Sequence, residues 1–339
     1  MDDLSSYFQH WSAKDHKPKP REENQPLSSA SIPARVTMGR FIALAHHLNY
    51  DQSARQLKTV PYFGQKLQRN HEADLKYVRR LLYNSWNTEY LLRASEQQSD
   101  DYLRIALHWS FPQAYYCVYL NLHAFLVAKG INAKTHEGIL RQFGSLVRHG
   151  AYPKAMSFHL MGELSEPSFV HLPHYNPALA KTTVELSPIR NIEEADTSIA
   201  GFLRTTRREK AELLKAERQS RKRNALKTKD GRVRQSFQRE HWKVITDRMG
   251  ITTILDLLYR LRIKANYQDI DSFIQDRIDC RPFYTALREI IAYLNFVHES
   301  YTAKVIGVQQ FERIVEDFPG KAEQQFVQNR LQRQIRPLF

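Results

Sequence analysis

Cysteine is almost absent from this 339-residue chain: Cys117 and Cys280 are the two, each inside an apolar stretch. That excludes a disulfide framework and fits reduced thiols packed as small hydrophobes, with a reducing cytoplasm as the simplest compartment. Glycine is scarce as well, 12 in all and none arranged as GxGxxG or GxxxxGK[ST], so nucleotide hydrolysis on a familiar phosphate loop is not expected. HExxH and CxxC spacings are missing, and no metal or cofactor is expected. The longest candidate apolar run, Phe111 to Val127, is interrupted by Gln113, Asn121 and His123, short of the roughly 18 apolar residues that a membrane span needs. The amino terminus, Met1-Asp2-Asp3-Leu4, is acidic where a secretory signal begins positive, so neither export nor membrane spanning is expected.

What is present is positive charge and enough apolar side chains for a core. Lys and Arg number 50 against 36 Asp and Glu, a net of +14, which directs attention to anionic partners such as nucleic acid. Hydrophobic residues make up 42%, and the length suits two modules or one elaborated domain.

Residues 13–35 mix Pro, Ser, Lys and Glu with few large apolar side chains, the composition of a flexible arm, assigned to residues 1–35. Helical patterning starts near residue 36 and gives an N-terminal helical extension over 36–67. Leu75, Val78, Leu82 and Trp86 then mark one amphipathic helix. Asp101 to Lys129 is apolar nearly all round. Pro112 is expected to divide it into two helices, with Ser110 capping the second and Gly130 stopping it. Thr135 caps a helix running to about Arg148. Between 151 and 200 the prolines predict irregular structure with a small hairpin, its runs being Ser157–Leu160 and Thr183–Leu186. Two further helices, Thr253 to about Asn266 and Pro282 to about Lys304, close the pattern, with Asp279 as cap of the second. The fold class expected is mainly α.

The segment Pro112-Gln113-Ala114-Tyr115-Tyr116-Cys117-Val118-Tyr119, followed by His123-Ala124-Phe125-Leu126-Val127-Ala128-Lys129-Gly130, resembles the second helix of small bacterial HEPN proteins. Lys134-Thr135-His136-Glu137-Gly138-Ile139 is similar to the opening of that family's next helix, and Leu261-Arg262-Ile263-Lys264-Ala265-Asn266-Tyr267 to the segment before its last. The resemblance covers about residues 68–150 and 252–316. It implies a HEPN-like helical bundle with residues 151–251 as a basic, partly irregular insertion and 317–339 as a C-terminal tail.

HEPN ribonucleases cut RNA without metal, using an Arg and a His two turns apart on one helical face. A fixed cation there stabilises the phosphorane while imidazole moves protons near neutral pH. At the matching positions this chain carries Gln113 and Leu120, neither a cation nor a base. What the resemblance then implies is a non-catalytic dimerising or ligand-binding module, a homodimer associated with RNA and coupled to a nucleotidyltransferase or another component of a prokaryotic defence or toxin-antitoxin locus. The alternative is a divergent metal-independent endoribonuclease using Arg234 with His241, or His123 with Arg148 or Arg262. Asn121 and His123 are otherwise polar groups satisfied in a helix interface. Tyr116 and Tyr267 either stack a base or pack in the core, and His136 reads as a helix-start residue.

From Arg204 to Lys243 there are 15 Lys or Arg against 5 Asp or Glu, a local net of +10. The expected nucleic-acid contacts are Arg207, Arg208, Arg218, Arg221, Lys222, Arg223, Lys227, Arg232 and Arg234, on a charged helix that neutralises phosphates and loses affinity as salt rises. A helix with locally paired charges, or one that holds an acidic protein, is the other reading.

Overall fold

The computed structural model describes residues 32–67, 73–181, 189–220, 226–267, 279–319 and 325–339. The protein is mainly helical. In chain order the helices are α1 (Ile32–Tyr50), the short α2 (Pro61–Gly64), α3 (Leu75–Glu96), α4 (Asp100–Ala128) and α5 (His136–Arg148). After strands β1 (His159–Gly162) and β2 (Pro167–Val170) come α6 (Ile192–Ser220), α7 (Arg239–Met249), strand β3 (Thr252–Thr253), α8 (Ile254–Tyr267), α9 (Arg281–Ile306), α10 (Val308–Glu316) and α11 (Gln325–Arg330). The expected arm falls mostly outside the described residues; its last four positions, 32–35, belong to α1.

Local chemistry sets most boundaries. Asp74 accepts the Tyr77 N–H and opens α3, Ser99 accepts that of Tyr102 and opens α4, and Thr135 accepts that of Gly138 and opens α5, each satisfying an orphan donor of the first turn. Gly130, at φ 79°, takes the left-handed conformation that ends α4, where its N–H meets the Val127 carbonyl. Asp279 accepts the Arg281 N–H at 3.1 Å beside the start of α9, although the cap position itself is Cys280.

The expected break at Pro112 does not occur: α4 runs unbroken through it. Proline removes one ladder donor, but the helix is clamped on both sides of the gap. Phe111 packs against Phe41 and Phe283, and Tyr284 Oη lies 2.8 Å from Ser110 Oγ while donating to the Leu103 carbonyl. Packing fixed from outside outweighs the lost bond.

α4 is the centre of the bundle, with α3, α8 and α9 laid against it and α1 held between α6 and α9. One apolar core runs from Met38 to Ile335, so the N-terminal extension and the C-terminal tail are parts of the same body. The insertion is stitched at its two ends. β1 pairs antiparallel with β2, but also with β3, placing His159 opposite Thr253 and Leu160 opposite Thr252. The hairpin expected with Thr183–Leu186 has Pro167–Val170 as its partner instead, and residues 183–186 lie outside the described set. The far half of α6 and α7 make a second small core of Ala211, Ile245 and Met249, joined by Phe237 and Trp242.

The tail supplies a buried cation to the centre of the bundle. Arg330 bonds Glu89 and lies 2.5 Å from Glu299, with all three side chains 4% exposed or less. Trp86 Nε1 and Asn121 Nδ2 each donate to Glu299 at 2.9 Å, while Asn295 and Arg93 donate to Glu89. Burial pushes the Glu89 carboxyl up, but Arg330 and Arg93 outweigh it and hold it down at about 2. At Glu299 burial wins, and the carboxyl stays above its usual value despite Arg330.

Candidate nucleic-acid interface

The four family-like positions of α4 point different ways. Asn121 is wholly buried and bonded to Glu299, so it faces the core network and no ligand. Gln113 and Leu120 are half-buried, Leu120 against the core. Tyr116, also half-buried, is the one that joins a cluster with chemistry in it.

That cluster forms where α4, α5 and α8 meet. The Arg262 guanidinium lies 5.7, 5.0 and 5.6 Å from the ring centres of Tyr115, Tyr116 and Tyr259. The His136 ring lies 5.6, 6.0 and 5.8 Å from the same three rings, with Nδ1 2.8 Å from Tyr115 Oη. Arginine and imidazole thus share one set of aromatic walls, and among the described residues no carboxylate pairs with Arg262. Burial, then the neighbouring Arg262 charge, lowers the His136 pKa and keeps the ring neutral at pH 7. Arg262 is held by ring faces, an environment that favours a guanidinium while leaving its charge uncancelled.

The aromatic row continues along α4. Tyr119 sits 4.5 Å from His136 and 5.9 Å from His123, and His123 meets Tyr77 of α3 edge-on at 5.6 Å. Burial lowers the His123 pKa, and its ring neighbours are tyrosines. Of the two cations considered for His123, Arg262 reaches the His136 end of the row, and Arg148 acts on His159 instead. Tyr267 ends α8, and its side chain lies outside the described residues.

Arg234 and His241 are not a helical pair. α7 begins at Arg239, and Arg234 precedes it in an extended turn whose Lys227 and Val233 bridge. His241 Nδ1 accepts the Gln238 N–H at 3.0 Å as part of the capping box that opens α7. The seven-residue spacing therefore lacks the shared face that made it interesting.

The expected basic helix is likewise divided, because a turn bridged from Lys227 to Val233 separates the described residues of α6 from α7. Arg207 leaves the set of phosphate contacts: it is 2% exposed and donates to the carbonyls of Gly162 (2.7 Å) and Gly250 (2.8 Å), tying β1 to the segment before β3. Lys210 pairs with Asp256, Arg239 with Glu163 and Glu166, and Lys215 lies over Phe237 and Trp242. Arg208, Lys227 and Arg232 are exposed, Arg218 and Arg234 half-buried, and Arg221, Lys222 and Arg223 lie outside the described residues. Much of the local positive excess is spent holding the insertion together.

Among the described residues no group of three or more His, Cys, Asp or Glu side chains could hold a metal ion, and no helix is long and apolar enough to cross a membrane. In comparisons with known proteins, no family model, no curated protein and no solved structure matches this chain.

Sequence reasoning read His136 as a helix-start residue, which it is, and did not single out Tyr259 or Tyr77. Two traces were legible: Thr135 as a cap fixes His136 on the first turn of α5, and Tyr259 stands three residues before Arg262, hence on its face of α8. What joins them to α4 is tertiary.

Proposed function

We propose that this protein is a HEPN-like module that binds RNA on its helical bundle without cutting it. The observation that carries the reading is Arg262, its charge uncancelled among the described residues, seated over Tyr115, Tyr116 and Tyr259 beside a neutral His136. A guanidinium offers a phosphate two parallel donors, and half-buried Tyr116 and Tyr259, unlike fully buried Tyr115, keep surface on which a base of any sequence can stack. Exposed Arg208, Lys227 and Arg232 extend the positive field on the insertion. Gln113 and Leu120 supply neither charge nor proton transfer, and Asn121 is committed to the core. Self-association and membership of a prokaryotic defence or toxin-antitoxin assembly with a nucleotidyltransferase complete the proposal, on the strength of the family resemblance.

Anisotropy of a labelled 16-nucleotide single-stranded RNA tests it. Arg262→Ala, with an unchanged circular dichroism spectrum, is expected to weaken binding at least tenfold. Wild-type affinity in that variant removes the site.

The second reading, a metal-independent endoribonuclease, is favoured by the proximity of His136 and Arg262 to the same three rings. RNA products formed in EDTA by the wild type and lost in His136→Ala, but not in His241→Ala, would decide for it.

A further inference from the structure

A second feature lies on α3. Lys76, Arg79, Arg80, Tyr83, Asn84 and Asn87 recur at helical spacing and line an open groove of about 600 Å³, whose far side is Asp317. Three cations thus stand on one face against one carboxylate. Among the described residues Lys76, Arg79 and Arg80 make no ion pair, although like charges three and four residues apart on a helix repel. Such a stripe disfavours its own helix unless a polyanion shares it.

The groove is not isolated from the Arg262 cluster. The Arg80 guanidinium lies 4.8 Å from the centre of the Tyr77 ring, and Tyr77 is the residue that meets His123 edge-on. From there the row runs through Tyr119 and His136 to Arg262. Cations stand at both ends, and between them half-buried Tyr77 and His136 keep surface for a base above a floor of buried His123 and Tyr119, the alternation that a single strand presents as phosphates and bases. A duplex, whose bases are already stacked on each other, has no use for the rings.

We infer that the α3 groove is a phosphate-binding subsite and that one single strand of RNA crosses from Lys76, Arg79 and Arg80 along the aromatic row to Arg262. This rests on the RNA-binding reading above and adds to it the substrate class, an unpaired strand, and its path. Site sizes of roughly 4–16 nucleotides are usual for platforms of this kind, so a short oligonucleotide reaches one end and a long one reaches both.

The experiment compares full-length wild type, Arg79→Glu/Arg80→Glu and Arg262→Ala for binding of 4-, 8- and 16-nucleotide RNA. The same 16-mer as DNA, an RNA duplex and polyglutamate serve as competitors. Both substituted α3 positions are exposed, so the fold is expected to hold, and circular dichroism checks it. The α3 variant is expected to lose at least tenfold in affinity for the 16-mer and little for the 4-mer. Its dependence of log K on log salt should become shallower by about 1.4, two phosphate contacts at roughly 0.7 each. The DNA arm reports whether the 2′-hydroxyl contributes. Unchanged 16-mer affinity in the α3 variant overturns the inference while leaving an Arg262 effect intact. A duplex that competes as well as the single strand overturns it too, as does polyglutamate that displaces RNA equally at matched charge. An Arg262→Ala protein indistinguishable from wild type instead removes the underlying reading.

Discussion

Replacing Arg330 with Met isolates the energetics of the core charge network. The aliphatic stem is kept, and the guanidinium that serves both Glu89 and Glu299 is lost. Glu89 retains Arg93 and Asn295, whereas Glu299 is left with two neutral donors, Trp86 and Asn121, in a site 0% exposed. Breaking a buried pair by removing one partner costs about 3–5 kcal/mol, because the stranded charge keeps its desolvation penalty. With an unfolding entropy of roughly 2.1 cal/mol/K per residue, about 0.7 kcal/mol/K for this chain, the loss reads as about 4–7 °C in Tm by calorimetry. The pH dependence has a definite sign. Without Arg330 the Glu299 carboxyl titrates even further above its unfolded value, and a raised acid pKa costs stability as pH rises through it. The deficit against wild type is therefore smaller at pH 5 than at pH 8. Adding Glu299→Gln to the variant should restore most of the loss, since a neutral amide no longer needs the cation. A single variant within about 1 kcal/mol of wild type, or a double variant no more stable than the single, would refute this account.

Three further outcomes follow from groups already placed. His298 is completely buried beside Phe143 and Tyr152, neither ring nitrogen has a hydrogen-bond partner among the described residues, and burial holds its pKa at about 3. Its folded pKa lies below its unfolded one, so its contribution is complete above about pH 6.5 and falls by roughly 1.4 kcal/mol per unit below that; His298→Leu should flatten the pH profile of Tm between pH 6.5 and 5. Arg207→Met should lower stability by about 2–4 kcal/mol in urea unfolding, through the stranded carbonyls of Gly162 and Gly250, and leave RNA affinity unchanged, whereas Arg208→Ala should do the reverse. Tyr102, Ile105 and Trp109 form an exposed apolar face on α4, with Ile105 at 65%. If the self-association proposed above uses that face, Trp109→Glu yields monomer in sedimentation where wild type gives dimer.

Local chemistry was legible where it acts locally. Thr135 announces α5 through its own side chain, and the stripe of Val78, Leu82 and Trp86 announces α3, because cap and period are properties of a dozen consecutive residues. Pro112 misled for the complementary reason: its cost is local, but the clamps from Phe41, Phe283 and Tyr284 come from far along the chain. Arg207 resembled every other arginine in a basic run, and only the strand pairing that brings Gly162 near Gly250 turns it inward. The resemblance was argued from segments of α4, α5 and α8 that pack together in the fold, and it placed attention on Gln113 and Leu120 of one helix. The histidine and arginine that come together belong to two other helices and meet over α4 tyrosines.

The seat for Arg330 has a consequence for how the molecule is made. Synthesis delivers Glu89 early and Glu299 late, and their shared cation later still. Until that residue arrives, closing the three central helices means drying the Glu299 carboxylate with neutral donors alone, while Glu89 already has Arg93, so the bundle gains little by shutting early. Final closure is thereby coupled to the docking of α11, a chemical latch in which one cation seats two carboxylates that lie far from each other along the chain.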